Sequence, residues 1–381
     1  MSKLDRCHNC GWAESRDPNA GRTGPQIAQR GGVAYWRGVQ TCGSVWCCPV
    51  CQAKIRNGRA IEISEFTAEW IRRGGEVYMV TLTAPHDLGM ALSLLMVLIS
   101  NAFTSVIAGG AWVKLRDQLG IAGCIRALEV TYGENGWHPH LHVLVYCRDP
   151  LDAAGLAAFT LHFQRKWDRF VTKAGYRAPS AQHGVRVERC YNGGGAADYI
   201  CKTQDGRNPG NEMARSDMKT SRDGHRMPFD ILAAAGTGER AELELWWEYE
   251  QATFRRRCIT WSPVLRELRQ EWLNAEDKTD DELAAPEVDG EVVTQVTAGA
   301  IRRITCIPGL RARLLDAWET GGLDGLAAVA ARHGFVLLPG LAGRPPVLCP
   351  ARKRRAADAT LDTLSDGMVT GGRGNTQMSL I

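Results

Sequence analysis

The sequence predicts an α+β fold, in which an antiparallel sheet carries flanking helices between a cysteine-rich N-terminal module and a helical C-terminal region. Three observations predict it. Short apolar or alternating runs at 77–86, 124–131, 137–146 and 184–189 are typical of strands. The longer stretches between these strands have helical composition. Two pairs of cysteines precede all of the predicted strands. With 381 residues, 44% of them hydrophobic, the chain can form the cores of two or three domains.

Paired cysteines mark the N-terminal region. Six of the 13 cysteines lie in the first 51 residues, and the pairs Cys7/Cys10 and Cys48/Cys51 both have the C-x-x-C spacing. Two such pairs supply the four thiolates of a structural Zn²⁺ site, so residues 1–75 are predicted to form a zinc-ribbon-like module that ends in a helix. Cys42, Cys47 and His8 are further donors that could replace one of these four ligands.

The N-terminus has no feature of a secreted or membrane protein. Residues 1–10 are polar and lack the apolar segment of a signal peptide. No apolar run is long enough to cross a bilayer. We therefore expect a cytoplasmic protein with no membrane partner, in which cysteines bind metal or stay reduced.

A helix is predicted from Gln52 to Arg73, directly after the second cysteine pair. Lys54, Arg56 and Arg59 are expected on its surface, where three cations can lie along nucleic-acid phosphates. The alternative is an ordinary solvated helix face. Further basic clusters lie at 255–257, 302–303 and 352–355. Since the net charge is only +4, these clusters favour a localised nucleic-acid track and exclude a uniformly basic coat protein.

A pair of histidines on one strand is the most informative feature. Residues 137–146 (WHPHLHVLVY) are typical of a buried strand, and His140 and His142 project from one face because alternate strand residues share a face. Folding the preceding strand back through the turn at 132–137 brings Glu129 opposite this pair. Two imidazoles and a carboxylate suit Mg²⁺ or Mn²⁺ and leave open positions for water and substrate. The alternative is a strand with two ordinary, hydrogen-bonded histidines.

Two neighbouring residues are weaker candidates for the same site. His138 lies on the face of His140 and His142, where it would be either a fourth ligand or a phosphate contact. Glu134 lies in the turn, where a carboxylate is more often simply solvated.

The stretch from Trp137 to Val145 resembles the His-hydrophobic-His motif of the HUH endonucleases, and within them that of rolling-circle plasmid replication initiators. Residues 41–59 are similar to replication initiators of plasmids and phages from high-GC Gram-positive bacteria. The strand at 77–86 matches the first motif of that class, with Thr81 and Thr83 facing DNA or packing in the sheet. The resemblance covers about residues 1–265 and implies a ferredoxin-related HUH nuclease core at 76–230.

The resemblance also implies a nucleophilic tyrosine on a downstream helix. Tyr199 and Lys202 supply a Tyr-x-x-Lys pattern, and residues three apart on a helix share a face. The implied reaction is metal-dependent, strand-specific nicking, in which Tyr199 forms a 5′-phosphotyrosine and Lys202 steadies the phosphate. The implied partners are origin DNA, single-stranded or folded as a hairpin at the nick site, and the helicase and polymerase of a bacterial host. The sequence has no Gly-x-x-x-x-Gly-Lys-Ser/Thr loop, so a fused helicase is not expected.

One position departs from the pattern of these initiators. Some of them carry a glutamate four residues before the tyrosine, where this chain has Gly195, so the residue that activates water for termination stays open. Tyr191 is a second candidate nucleophile, but the glycines at 193–195 should interrupt any helix shared with Tyr199 and favour a single nucleophile. The alternative functions are a transposase of the same nuclease class, which would use two tyrosines, and a non-catalytic, zinc-stabilised DNA-binding regulator.

Composition divides the rest of the chain. Residues 231–273 are predicted to form a helical extension of the nuclease domain, and the acidic residues 274–290 a linker. Residues 291–350 are predicted to form a small accessory domain, and residues 351–381 a basic, disordered tail.

Overall fold

The computed structural model describes residues 10–11, 24–180, 182–190, 225–285, 290–340 and 343–351. It divides into two compact units: unit 1 comprises Met1–Cys10 and Gln40–Pro286, and unit 2 comprises Gly11–Val39 and Glu287–Ile381. The described strands, numbered along the chain, are β1 (Gln26–Arg30), β2 (Val33–Arg37), β3 (Glu76–Thr83), β4 (Ile121–Gly133), β5 (Gly136–Cys147), β6 (Val185–Arg189), β7 (Ile259–Trp261), β8 (Glu291–Val296), β9 (Phe335–Leu338) and β10 (Val347–Pro350). The described helices are α1 (Pro49–Arg72), α2 (Leu92–Val106), α3 (Gly110–Gln118), α4 (Ala153–Lys173), α5 (Pro228–Ala235), α6 (Arg240–Thr253), α7 (Pro263–Leu273), α8 (Asp280–Ala284), α9 (Ala298–Thr305) and α10 (Leu310–Arg332).

Unit 1 is built on a five-stranded sheet in the order β6-β3-β5-β4-β7, and every neighbouring pair is antiparallel. The predicted α+β class with an antiparallel sheet and flanking helices is confirmed. β5 is the central strand because it is apolar on both faces in its second half, as residues 143–147 are all buried. The β4–β5 hairpin closes at Gly133 and Gly136, and Gly136 has the positive φ of 83° that such a tight turn favours.

Helices cover the two faces of this sheet. On one face, β3 and β5 join a core with the α4 side chains Phe159, Phe163 and Trp167. On the other face, α1 packs Phe66 against Tyr146, with ring centroids 5.3 Å apart. Tyr146 shares its face of β5 with the three histidines, since all are even-numbered. The histidines are only partly buried, so one half of this face is core and the other half is accessible.

Two boundaries differ from the sequence prediction. The sequence predicts one N-terminal module at 1–75, but β1 pairs with β8, so the β1–β2 hairpin belongs to unit 2. Part of the acidic segment at 274–290, assigned as a linker, folds as α8 and buries Ala284 completely. Both differences arise from tertiary pairing, which outweighs local composition.

Unit 2 has its own five-stranded sheet, in the order β2-β1-β8-β10-β9. Its neighbours are antiparallel except for β8 and β10, which run parallel. Ile27, Leu314 and Leu348 are fully buried in its core. The helix α10 is interrupted at Gly322, where φ is 56° and ψ is −142°.

Within the described residues, no single helix combines the length and apolar composition needed to cross a bilayer. The helices α2 and α3, which are bent by 64° relative to each other, are together long and apolar enough, but this statement rests on their length and composition alone.

Candidate functional site

The antiparallel register of β4 and β5 assembles the predicted carboxylate and imidazoles. Glu129 lies directly opposite His140. The Glu129 Oε2 atom is 3.3 Å from His140 Nε2 and 3.2 Å from His142 Nε2, and the two Nε2 atoms are 3.1 Å apart. Glu129 is 5% exposed, whereas both histidines are partly accessible. Three electron-pair donors therefore converge on one point at the edge of the core.

The spacing of these three atoms fits a divalent cation. Ligand atoms about 2.1 Å from an octahedral metal ion and at right angles to each other lie about 3.0 Å apart. The observed separations of 3.1 to 3.3 Å are close to this value. A buried carboxylate beside two imidazoles is also costly unless a cation or proton is shared among them. The arrangement would occupy three adjacent positions of an octahedron and leave the others for water and substrate.

The strand β3 orients one of the imidazoles. Thr81 lies opposite His142 in the register, and its Oγ1 atom is 3.2 Å from His142 Nδ1. If Nδ1–H donates to Thr81, the lone pair of Nε2 is directed at Glu129 and His140, as a metal ligand requires. Thr83 lies opposite His140. His140 Nδ1 is buried and has no hydrogen-bond partner among the described residues.

Three further imidazoles lie beside this triad. His138 Nδ1 is 3.3 Å from His86 Nε2, and the ring of His138 is 5.7 Å from that of His225 and 5.2 Å from that of His140. Burial, and next the neighbouring imidazoles, lower the pKa of His138 to about 3. His138 is therefore neutral at physiological pH, and its partner here is an imidazole. The described part of the chain thus has five histidines in one cluster.

A cleft of about 250 Å³ opens beside this cluster. Its lining combines small apolar residues with imidazoles and hydroxyls: Thr83, Ala84, Pro85, His86, His138, Arg177, Ala178, Pro179, Ser180, His183 and Gly184. Arg177 at its rim forms an ion pair with Asp87, with 2.7 Å between Nη2 and Oδ1.

The start of β5 is fixed by α6. Trp137 Nε1 donates to Glu248 Oε2 at 2.9 Å, and Glu248 Oε1 accepts from the backbone N–H of Leu92 at 2.8 Å. The ring of Trp137 also stacks on Tyr249, with centroids 5.9 Å apart. Glu248 therefore ties the hairpin end to the first turn of α2 and holds the histidine strand in place.

The residues after 224 return to this site. Arg226 forms two backbone hydrogen bonds with Tyr132, of 2.6 and 3.0 Å, at the end of β4. This contact holds His225 next to His138. Tyr199 and Lys202, as well as Tyr191 and Gly195, lie outside the described residues, between β6 and His225.

Four cysteines form a second group of candidate ligands, at the start of α1. The Sγ atoms of Cys10, Cys42, Cys48 and Cys51 all lie within 4.8 Å of one another. Individual separations are 3.5 Å for Cys10–Cys51, 3.7 Å for Cys42–Cys51 and 3.4 Å for Cys48–Cys10. Four sulfurs bound tetrahedrally at about 2.3 Å from Zn²⁺ would lie about 3.8 Å apart. Hydrogen bonds from the other three thiols lower the pKa of Cys51, which favours its thiolate form.

Three of the four cysteines in the predicted pairs, Cys10, Cys48 and Cys51, lie in this cluster. Cys42, one of the substitute donors in the prediction, lies with Cys10, Cys48 and Cys51. Cys7 and His8 lie outside the described residues. Cys47 is buried next to Thr253 Oγ1, 3.8 Å away, and is not part of the cluster.

The prediction of a basic helix surface is wrong for two of its three residues. Arg56 is 3% exposed, and its guanidinium lies over the ring of Trp46 at 5.7 Å from the centroid. Arg59 is held by Glu62 and Asp280, with N···O distances of 2.9 and 2.8 Å. Lys54 is half-buried. Arg59 is engaged because the acidic segment folds onto α1 instead of remaining a linker, whereas Arg56 is buried by its packing against Trp46.

Sequence reasoning missed His86, His225 and Glu248. The only signal for His86 was its position at the end of the strand at 77–86, which the resemblance assigns to the nuclease core. For His225 and Glu248 no local pattern pointed to the site, since each reaches it through tertiary packing.

The chain resembles two curated proteins. It is 35% identical over 313 residues to a protein of Streptomyces lividans called Protein rep, and the match covers 66% of this chain and 68% of that protein. It is also 35% identical over 154 residues to a Neomycin resistance protein of Streptomyces cyanogenus, a match that covers 34% of this chain and 35% of that protein. No protein-family model matches the chain. No solved structure matches it either.

Proposed function

The chain belongs to the family of Protein rep of Streptomyces lividans, and on this premise we propose that it initiates rolling-circle replication of a plasmid by nicking one DNA strand at the origin. It acts in the bacterial cytoplasm, on origin DNA that is single-stranded or folded as a hairpin at the nick site. A helicase and a polymerase of the host then extend the released 3′ end.

The observation that carries the proposal is the convergence of Glu129, His140 and His142 within 3.1 to 3.3 Å. These three side chains would hold Mg²⁺ or Mn²⁺. A bound ion of this kind supplies Lewis-acid polarisation of a phosphate oxygen. A hydrogen bond from His142 Nδ1–H to Thr81 would give His142 the tautomer that such binding needs, and the partial exposure of both histidines leaves the site open to a phosphodiester.

Tyr199 is the nucleophile of this reaction. Its phenolate oxygen bonds to phosphorus, the bond from phosphorus to the 3′-oxygen breaks, and the 3′-oxygen takes up a proton to leave as a hydroxyl. Lys202 places an ammonium group beside the charge that develops on the phosphate. The 5′-phosphotyrosine conserves the energy of the broken ester, so a later attack by a 3′-hydroxyl rejoins the strand without a nucleotide cofactor.

The described residues that flank this tyrosine support the assignment. Cys190 hydrogen bonds through its N–H to Val77 O at 3.0 Å, at the β3–β6 edge of the sheet. At the other end, His225 lies against His138. The last described residue before 191 thus lies on the sheet that carries the triad, and the first described residue after 224 lies in the histidine cluster.

The cleft beside His138 gives room for the strand around the scissile phosphate. Pro85 and Pro179 offer apolar surfaces of the kind on which an unpaired base can lie, and Ser180 and His183 offer polar groups at its edge. The cysteine cluster has a structural role, in which Cys10, Cys42, Cys48 and Cys51 hold Zn²⁺ and fix the start of α1.

The test is nicking of a supercoiled plasmid that carries the origin, with Mg²⁺ or Mn²⁺ present. We expect the wild-type protein to convert it to the open circle and to remain covalently attached to the 5′ end in denaturing gels. Tyr199→Phe should abolish both products, because no phenolic oxygen remains to form the ester. Tyr191→Phe is the matched control and should retain both.

Other outcomes select the alternatives. Unchanged nicking by Tyr199→Phe rejects the proposal. Equal loss from Tyr191→Phe and Tyr199→Phe indicates a two-tyrosine transposase. Tight origin binding by the wild-type protein, with no covalent adduct under either metal ion, indicates a non-catalytic regulator.

A further inference from the structure

The loop between β3 and α2 presents a leucine to solvent beside the histidine cleft. Residues 84–91 form this loop, and Ala84, Pro85 and His86 line the cleft. Leu88 is 69% exposed, more than any other large hydrophobic residue in the described part of the chain. Single exposed leucines are common on protein surfaces. Leu88 differs from an ordinary surface leucine in how rigidly it is held and in what lies beside it.

Hydrogen bonds fix the backbone around Leu88. The N–H of Met90 donates to Asp87 O at 3.1 Å and closes a β-turn in which Leu88 is the second residue. Gly89 is the third residue, with the positive φ of 87° that a type II turn requires. The carboxylate of Asp87 is held by Arg177, with 2.7 Å between Oδ1 and Nη2. Leu88 therefore lies at the apex of a turn with a defined conformation.

This turn lies directly on the end of the β4–β5 hairpin. Gly136 is buried, and a Cβ atom at this position would be 3.3 Å from Leu88 Cα and 3.5 Å from Asp87 O. The Leu88 Cδ1 atom would be 3.7 Å from the same Cβ. Leu88 therefore covers the hairpin turn with its backbone, while most of its side chain remains in solvent.

Two contacts link the loop to the histidine strand, one on either side of the turn. Before the turn, His86 Nε2 is 3.3 Å from His138 Nδ1. After the turn, the N–H of Leu92 and the Nε1–H of Trp137 donate to the two carboxylate oxygens of Glu248. The exposed leucine thus keeps a fixed position relative to the strand that carries the metal ligands.

The geometry of β5 gives the distance from the leucine to the metal triad. Leu88 contacts the strand at Gly136, and His140 is four residues further along it. At a rise of about 3.4 Å per residue, this separation is about 14 Å. Successive phosphates of one strand of B-DNA advance by about 3.4 Å along the helix axis. The leucine is therefore about four nucleotides away from a phosphate bound at the triad.

We propose that Leu88 inserts between neighbouring bases at the origin, and that it keeps the strand next to the triad unpaired. The proposal rests on the proposed function, because it takes DNA as the substrate of the triad. Leucine is one of the apolar side chains that proteins insert between base steps. Since the turn is already ordered, insertion costs little additional conformational entropy. Pro85 and Pro179 of the cleft offer an apolar surface for the unstacked bases.

Permanganate footprinting tests this role, because permanganate oxidises unstacked thymines and spares stacked ones. The probe is a supercoiled plasmid that carries the origin. It is incubated with the full chain in the Tyr199→Phe background, without added Mg²⁺ or Mn²⁺, so that the plasmid stays supercoiled. We expect a patch of reactive thymines at the origin, and we expect Leu88→Ala to lower their reactivity by about 10-fold, since no side chain then replaces the lost base stacking.

Nicking of matched substrates gives a second readout. In the otherwise wild-type chain, Leu88→Ala should nick a single-stranded oligonucleotide that contains the nick site at the wild-type rate, because this substrate needs no unpairing. Nicking of the supercoiled plasmid should be about 10-fold slower, since the strand must first be opened. A general loss of activity would instead slow both reactions equally.

The variants include matched controls. Leu161→Ala removes another exposed leucine, on α4, and should leave thymine reactivity and nicking unchanged. Leu88→Met keeps a long apolar side chain at the apex of the turn and should retain the reactive patch. Because the Leu88 side chain is mostly exposed, Leu88→Ala should also keep the melting temperature of the wild-type protein.

Full thymine reactivity in Leu88→Ala overturns the proposal, and so does the absence of a reactive patch when Leu88 is intact. Equal loss of reactivity in Leu161→Ala overturns it as well. So does an equal loss of nicking on the single-stranded and supercoiled substrates. Nicking by Tyr199→Phe would disprove the proposed function, but the comparison of thymine reactivity would still decide the role of Leu88, because it requires no cleavage.

Discussion

Among single residues, Glu129 supplies the negative charge of the ligand triad. Glu129→Gln keeps the size of the side chain but replaces the anion by a neutral amide. We expect Mn²⁺ binding to weaken by about 100-fold or more, because loss even of a group that only supports a metal ligand costs about 10- to 100-fold. Isothermal titration with Mn²⁺ measures the change. Glu134→Gln, in the exposed hairpin turn, is the matched control and should bind Mn²⁺ as the wild type does.

The two threonines of β3 allow a finer test. Thr81 contacts His142 Nδ1 at 3.2 Å, whereas no side-chain hydrogen bond links Thr83 to His140 in the described structure. Thr81→Val preserves shape and removes the acceptor, so we expect metal binding to weaken by about 10-fold. Thr83→Val should have little effect on the measured metal affinity. Equal effects of the two substitutions would mean that Thr81 does not orient His142.

The ligand triad was predictable from the sequence, whereas its surroundings were not. Strand periodicity places His140 and His142 on one face, and the antiparallel hairpin then fixes Glu129 opposite them. Arg56 shows where this reasoning fails. Its helix position was compatible with exposure, but the packing of Trp46 over α1 buries it. Such packing depends on contacts with distant segments that local patterns do not encode.

Among the secondary-structure elements, α1 depends most directly on the cysteine cluster. Cys48 is its N-cap, and the Cys48 Sγ atom accepts from the backbone N–H of Cys51 at 3.5 Å. We expect Cys42→Ser to lower the Zn²⁺ content of the purified protein and its melting temperature, since a structural site with one ligand missing contributes less to folding. Metal analysis by mass spectrometry and thermal unfolding give the two readouts.

Cys47→Ser is the control for this prediction. Cys47 is equally buried but lies outside the four-sulfur cluster, so its substitution should leave the Zn²⁺ content unchanged. Full Zn²⁺ content in Cys42→Ser would show that Cys42 is dispensable and would point to Cys7 or His8 as the fourth ligand.

The two hairpins show which strand pairings can be predicted from the sequence. The partners β4 and β5 are neighbours along the chain, so a turn pattern between two apolar runs was sufficient to predict their pairing. The pairing of β1 with β8 joins residues near opposite ends of the chain. No local pattern indicates that pairing, so the predicted module at 1–75 includes residues of both units.

For the whole molecule, the position of β10 makes unit 2 sensitive to truncation. β10 lies between β8 and β9, so removing it interrupts the sheet. We expect a chain ending at Pro345 to lose protection of β1 and β2 in hydrogen exchange, because the core around Ile27 and Leu348 is no longer complete. A chain ending at Ala351 retains every described strand and should keep that protection. Equal exchange in the two truncated chains would contradict this prediction.

The β1–β8 pairing also has a consequence during protein synthesis. The ribosome makes β1 and β2 early, but the strand that pairs with β1 emerges only after all of unit 1 has been translated. Until then the apolar side chains of this first hairpin, including Ile27 and Trp36, have no permanent place in a core. The nascent chain therefore exposes the apolar surface of this hairpin through most of its elongation. A chaperone that binds this surface during translation should increase the yield of folded protein.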